Sequence, residues 1–161
     1  MTAAMRRLGV LLVLLLAGCA RGPTFDEVAA TLPPLPANQG RLFVYRAFEP
    51  YQNLAWVPVF LNAQTIGAVG PGHVIMRDVP PGPYRLEPKS DGLWPNQASM
   101  FNLLPGQTVY AKITSFNSVD PSSSSSDLIT TFVINLVDPT VGRSEIGSLQ
   151  YSAQLRRTPA G

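Results

Sequence analysis

From residue 41 onward, proline, glycine and asparagine interrupt the chain at intervals of about eight to twelve residues. No apolar stretch between them is long enough for an ordinary helix of three or four turns. The stretches are rich in Val, Ile, Phe and Tyr, which fit a pleated surface better than a helix. Residues 41–46, 56–61, 64–69, 73–79, 84–88, 97–103, 108–114 and 128–137 are the strand candidates. This cadence predicts one all-β domain, a single β-sandwich of about eight strands over residues 41–155.

The turns carry their own chemistry. Asn62-Ala63 stands where a two-residue hairpin turn belongs, although glycine is the usual second residue. Pro71-Gly72, Pro80-Pro81-Gly82-Pro83, Asp91-Gly92 and Pro105-Gly106 separate further strands. Pro58 removes a ladder donor from the second strand, which suits an edge or an outward-facing amide. Five consecutive serines, 122–126, bury nothing and read as an excursion between the last two long strands. A turn or short helix is expected over residues 144–149, followed by a frayed tail.

The N-terminus is of a different kind. Arg6 and Arg7 precede a ten-residue apolar run, 8–17, and small residues end it. These are the three parts of a secretory signal. As a helix the run rises about 15 Å, half of a hydrocarbon core of about 30 Å, so it is too short to span one comfortably. The stretch Leu16-Ala17-Gly18-Cys19 resembles the lipobox of bacterial lipoproteins. That resemblance implies diacylglyceryl transfer to the Cys19 thiol, cleavage by signal peptidase II between Gly18 and Cys19, and acylation of the new amine. Residues 1–18 would then be removed. Cys19 is the only cysteine, so a lipidated chain has no disulfide. By the same resemblance, Ala20 in place of aspartate favours the outer membrane, facing the periplasm, over the inner membrane.

Residues 19–40 read as a tether. Pro23, Pro33, Pro34 and Pro36 stiffen it, and fully extended it would hold the domain up to about 65 Å from the lipid. Thr24 and Glu27 have capping-box spacing, with Phe25, Val28, Ala29 and Leu32 at helical intervals, so one or two helical turns are expected over residues 25–31. Two readings of this segment are open: a spacer for reach, or a linker whose apolar face packs back on the domain.

Within the domain, Gly40-Arg41-Leu42-Phe43-Val44-Tyr45-Arg46, the hairpin around Asn62-Ala63, Asp78-Val79-Pro80-Pro81-Gly82-Pro83-Tyr84 and Leu104-Pro105-Gly106-Gln107-Thr108-Val109-Tyr110 follow one another in an order that resembles the DUF2846 family. The resemblance implies a bacterial lipoprotein or secreted domain. The Pro-Pro-Gly-aromatic corner, shared with PEGA-like and transthyretin-like modules, implies a Greek-key sandwich.

The residues of catalysis are sparse. His73 is the one histidine, and a metal site or a Ser-His-Asp set would have to be built on it; an exposed strand-end histidine is the simpler reading. No HExxH, GxSxG, GxGxxG or phosphate loop occurs. The acids stand mainly at turns and strand ends. Without Arg6 and Arg7, the 12 basic residues fall to the number of the 10 acidic ones. A neutral chain has no electrostatic case for nucleic acid. The expectation is a non-enzymatic module with no metal and no cofactor, carrying only covalent lipid on Cys19. Its partners are the membrane through that lipid and another envelope protein. The alternative is a peptidoglycan or other glycan-binding module that uses loop aromatics, Tyr51, Trp56 and Trp94.

Overall fold

β1 (Gly40–Arg46) is the middle of the fold, buried on both of its faces. In a strand, successive side chains point to opposite sides. Leu42 and Val44 enter the main core between two sheets, whereas Phe43 and Tyr45 enter a second apolar cluster on the far side. A strand covered on both faces reads as a continuous apolar run, which is how this stretch stands out in the sequence.

The computed structural model describes residues 22–49, 53–90, 97–119 and 128–152. The other elements in chain order are α1 (Phe25–Ala29), β2 (Val57–Leu61), β3 (Gln64–Val69), β4 (His73–Val79), β5 (Gly82–Pro88), β6 (Ser99–Leu103), β7 (Thr108–Val119), β8 (Leu128–Val137), α2 (Pro139–Ile146) and β9 (Gln150–Tyr151). One sheet has the order β8-β7-β1-β4-β9 and the other β3-β2-β5-β6. The architecture is an all-β sandwich, with the main core filled from β1, β2, β7 and β8 among others. The fourth strand returns to lie antiparallel beside the first while β2 and β3 make a hairpin in the opposite sheet. Two pairings are parallel, β1 with β7 and β4 with β9, so the larger sheet is mixed.

The tether region departs from the extended spacer. Thr24 caps α1: its hydroxyl accepts from the Glu27 amide, and the Glu27 carboxylate accepts from the Thr24 amide at 2.7 Å. The helix then docks. Phe25 is 1% exposed within the second cluster, and its amide donates to Leu149 O at 2.7 Å. Further on, Arg41 pairs with Asp78 through two 2.7 Å contacts and donates to Pro33 O at 2.8 Å. The segment from Pro23 to β1 therefore lies along the domain and adds no reach. The outward face of β1 needs a cover, and this segment with α2 supplies it.

Other boundaries moved for local reasons. α2 begins at Pro139, earlier than the expected 144–149, because Asp138 caps it by accepting from the Thr140 amide at 2.8 Å. Gly142 lets that helix approach β7 closely; a Cβ there would stand 2.5 Å from Tyr110 Cβ. The expected frayed tail contributes β9, paired to β4 and bridged by Thr24.

Candidate interaction surface

β1 and β4 leave the sheet at the same end, where Arg46 pairs with His73. Ala47 and Phe48, just past β1, and the turn after α2 converge there. Between them lies a cleft of about 630 Å³, walled by Phe48, His73, Glu145, Leu149 and Gln150 among others. Phe48 is 68% exposed at its rim.

His73 opens β4 directly after Pro71-Gly72. Its Nδ1 lies 2.7 Å from Pro71 O; a carbonyl only accepts, so Nδ1 carries the proton in that contact. The imidazole lies 4.5 Å from the Trp56 ring, tilted by 56°. Trp56 itself immediately precedes β2 and is half-buried. It sits over Gly70 so closely that a Cβ there would meet the indole at 2.7 Å. Its other side borders a second groove, of about 480 Å³, walled by Pro58, Lys89, Leu128, Thr130 and Phe132 among others.

Glu145 reaches the first cleft from α2. Its carboxylate accepts from Lys112 Nζ at 2.9 Å and from the Tyr45 hydroxyl. Burial pushes the Glu145 carboxyl up, but the two hydrogen bonds and the Lys112 charge together outweigh it and hold the group below the usual carboxylate range. Burial, reinforced by the bond to Glu145, pushes the Tyr45 phenol far above its ordinary value. The carboxylate is thus ionised and committed to its two donors.

Arg46 ties the two grooves together. It lies on the same side of β1 as Leu42 and Val44 and is fully buried. Its guanidinium donates to Ala55 O at 2.9 Å, to Asn53 O and to Ser115 Oγ at 3.3 Å, and lies 5.0 Å from the Phe132 ring centroid. Burial lowers its pKa, with Glu49 opposing. This cation fixes the path of the 53–55 backbone, and through it the position of Trp56. The i, i+2 spacing from Leu42 and Val44 is the sequence signal that places Arg46 inward.

Of the aromatics singled out in the sequence, Trp56 borders a groove. Tyr51 and Trp94 lie outside the described residues, as do Gly18, Cys19, the 1–18 segment and the serine run. Tyr45 belongs to the buried cluster on the far side of β1. Among the described residues, no three of His, Cys, Asp and Glu gather as a metal set, and no helix is long and apolar enough to cross a membrane. His73 and Glu145 line one cleft, but each holds hydrogen bonds to other groups of the protein. The arrangement offers a surface with an exposed ring and a carboxylate held by two hydrogen bonds. No family model, curated protein or solved structure matches the chain.

Proposed function

We propose that the chain is a lipid-anchored lipoprotein of the bacterial envelope that works by presenting a binding surface, without catalysis. The observation that carries this reading is the register of Leu16-Ala17-Gly18-Cys19 behind a basic start and a short apolar run. The motif order that resembles the DUF2846 family supports the same placement. Cys19 stands five positions before Thr24, which bridges to Gln150 of β9. Five extended residues span at most about 18 Å, so the lipid holds the sandwich close to the bilayer surface. The acyl chains make the attachment stable, since two are already enough for durable anchoring.

The partner in this reading is another envelope protein, met at the cleft between Phe48 and Glu145. Photo-crosslinking from position 48 in intact cells, followed by mass spectrometry, tests it. A reproducible protein adduct that is lost with Glu145→Lys is the expected result; adducts to lipid alone, or none, contradict it.

One observation favours a second reading. The half-buried Trp56 ring borders the 480 Å³ groove, an arrangement suited to stacking on a sugar ring. Sedimentation with purified peptidoglycan separates the two. Binding that falls at least tenfold in Trp56→Ala supports the glycan; protein that stays in the supernatant removes it.

A further inference from the structure

The sandwich has four edge strands, and three of them are closed in different ways. On β8, the Ile134 amide donates to Gln97 O at 3.0 Å and the Phe132 amide to Ser90 Oγ at 2.9 Å. β9 is covered by the N-terminal segment, with the Tyr151 amide on Pro23 O. β3 carries a bulge: Val59 faces Gly67 and Phe60 faces Thr65, so Ile66 is the extra residue. A bulge twists an edge away from further pairing. β6 is held to β8 at its start, where the Ser99 hydroxyl donates to Ile134 O at 2.8 Å, but from Met100 onward it has none of these devices. Its residues, Ser99-Met100-Phe101-Asn102-Leu103, include no charge and no proline, and Met100 is 75% exposed.

The direction of its backbone groups follows from its pairing with β5. Asn102 faces Pro83, which has no N–H, and Met100 faces Arg85. The Arg85 amide and carbonyl both point the other way, to Asn62. Both pairs are therefore of the non-hydrogen-bonded kind. The amides and carbonyls of Met100 and Asn102 consequently face outward, and among the described residues none has a hydrogen-bond partner.

We propose that β6 is a self-pairing edge, through which two copies of this chain join antiparallel about a two-fold axis at Phe101. This goes beyond the proposed function and does not depend on the anchor. Antiparallel ladders alternate between bonded and non-bonded pairs. With the axis at Phe101, Met100 of one copy faces Asn102 of the other, and all four outward groups on each strand are satisfied at once. Phe101 then falls in a non-bonded pair with its own copy, where side chains approach most closely. Its ring is half-buried, packed on the main core and 5.9 Å from Tyr84. A second Phe101 completes its cover. A neutral strand meets its own copy without like-charge repulsion, which the usual lysine gatekeeper would impose. The result is a continuous eight-stranded sheet with an isologous contact.

Cysteine crosslinking of the full chain in whole cells, read in the unfractionated extract, tests the register. Residues in a facing non-bonded pair have Cα atoms about 4.5 Å apart, within the range a disulfide needs, whereas the two Met100 positions are offset diagonally by about 7–8 Å. Phe101→Cys under mild oxidation should give a reducible dimer in at least tenfold excess over both Met100→Cys and the wild-type chain, which retains Cys19. Adding Asn102→Pro, which removes an outward amide and no β5 bond, should reduce that dimer at least tenfold. Absence of the Phe101→Cys dimer overturns the proposal, as does an equal yield from Met100→Cys. The comparison of the two cysteine positions decides the matter even where the proline variant does not fold.

Discussion

Phe25 meets Phe43 edge to face, with ring centroids 5.2 Å apart and ring planes at 84°. Phe43 in turn stacks on Tyr110 at 5.2 Å, and Arg143 from α2 lies 5.2 Å from the Phe25 ring centroid. The N-terminal segment is thereby part of the fold. Phe25→Ala should destabilise the domain by about 3 kcal/mol or more, the cost of emptying a buried aromatic site. Urea denaturation measures the loss, and limited proteolysis should show faster cutting between residues 22 and 39. An unchanged midpoint and cutting rate would mean that the segment is not docked.

The β2–β3 hairpin holds a built-in strain. Asn62 and Ala63 have φ of 47° and 65°, the left-handed conformations of a two-residue hairpin turn. Asparagine tolerates this region, whereas an alanine Cβ there is unfavourable by roughly 1–2 kcal/mol. Ala63→Gly should raise stability by about 1 kcal/mol, after the extra chain entropy of glycine is offset. Equilibrium denaturation checks it; a destabilised variant would show that the turn is not in this conformation.

Trp56 is held between Gly70 and the His73 ring. Gly70→Val places a branched side chain where the indole lies and should push the ring outward. In a Trp94→Phe background, which leaves Trp56 as the sole tryptophan, its emission should shift to the red by several nanometres. Emission unchanged by Gly70→Val would contradict the packing.

Glu145 sets a pH dependence. Burial raises its carboxyl, but the hydrogen bonds from Tyr45 and Lys112 and the Lys112 charge together hold it below its ordinary value. A carboxyl with a depressed folded-state pKa contributes stability above its unfolded pKa, and that contribution disappears as pH falls through the folded value. The window thus runs downward from about 4.5, the ordinary value. Denaturation midpoints between pH 6 and pH 2.5 (about the range in which glutamate titrates) should fall less steeply in Glu145→Gln than in wild type. Equal slopes would show that the carboxylate has no such folded-state advantage.

The sandwich was legible because its information is local. Turn-formers at short intervals and β-branched runs between them mark strands β3, β4 and β8 at their observed limits. The strand ends that differ have particular causes. β7 continues to Val119 because it pairs with β8 from Tyr110 to that residue, and nothing in residues 115–119 alone announces a partner. β9 is two residues long and depends on β4 and Thr24, so it has no signature of its own.

The docking of α1 was half legible. The Thr24–Glu27 capping box and the spacing of Phe25, Val28 and Ala29 announce an amphipathic turn, but not the surface it covers. That surface exists because Phe43 and Tyr45 project from the opposite side of β1, which can be read only after β1 is known to be a central strand. The candidate surface was less legible still. Arg46 and Glu145 come from strand and helix ends about a hundred positions apart in sequence, and tertiary packing alone brings their elements to one end of the sandwich. His73 and Trp56 were visible as residue types, yet their contact depends on the crossing from β1 through the β2–β3 hairpin back to β4.

Anchoring of the domain depends on Cys19. The direct measurement is the intact mass of the N-terminal peptide from the membrane-extracted protein, after metabolic labelling with an alkyne fatty acid. The expected peptide begins at Cys19, carries the label and gains the mass of a diacylglyceryl group, with all three features lost in Cys19→Ser. A peptide that begins elsewhere, or one that retains an unmodified Cys19 thiol, would contradict it.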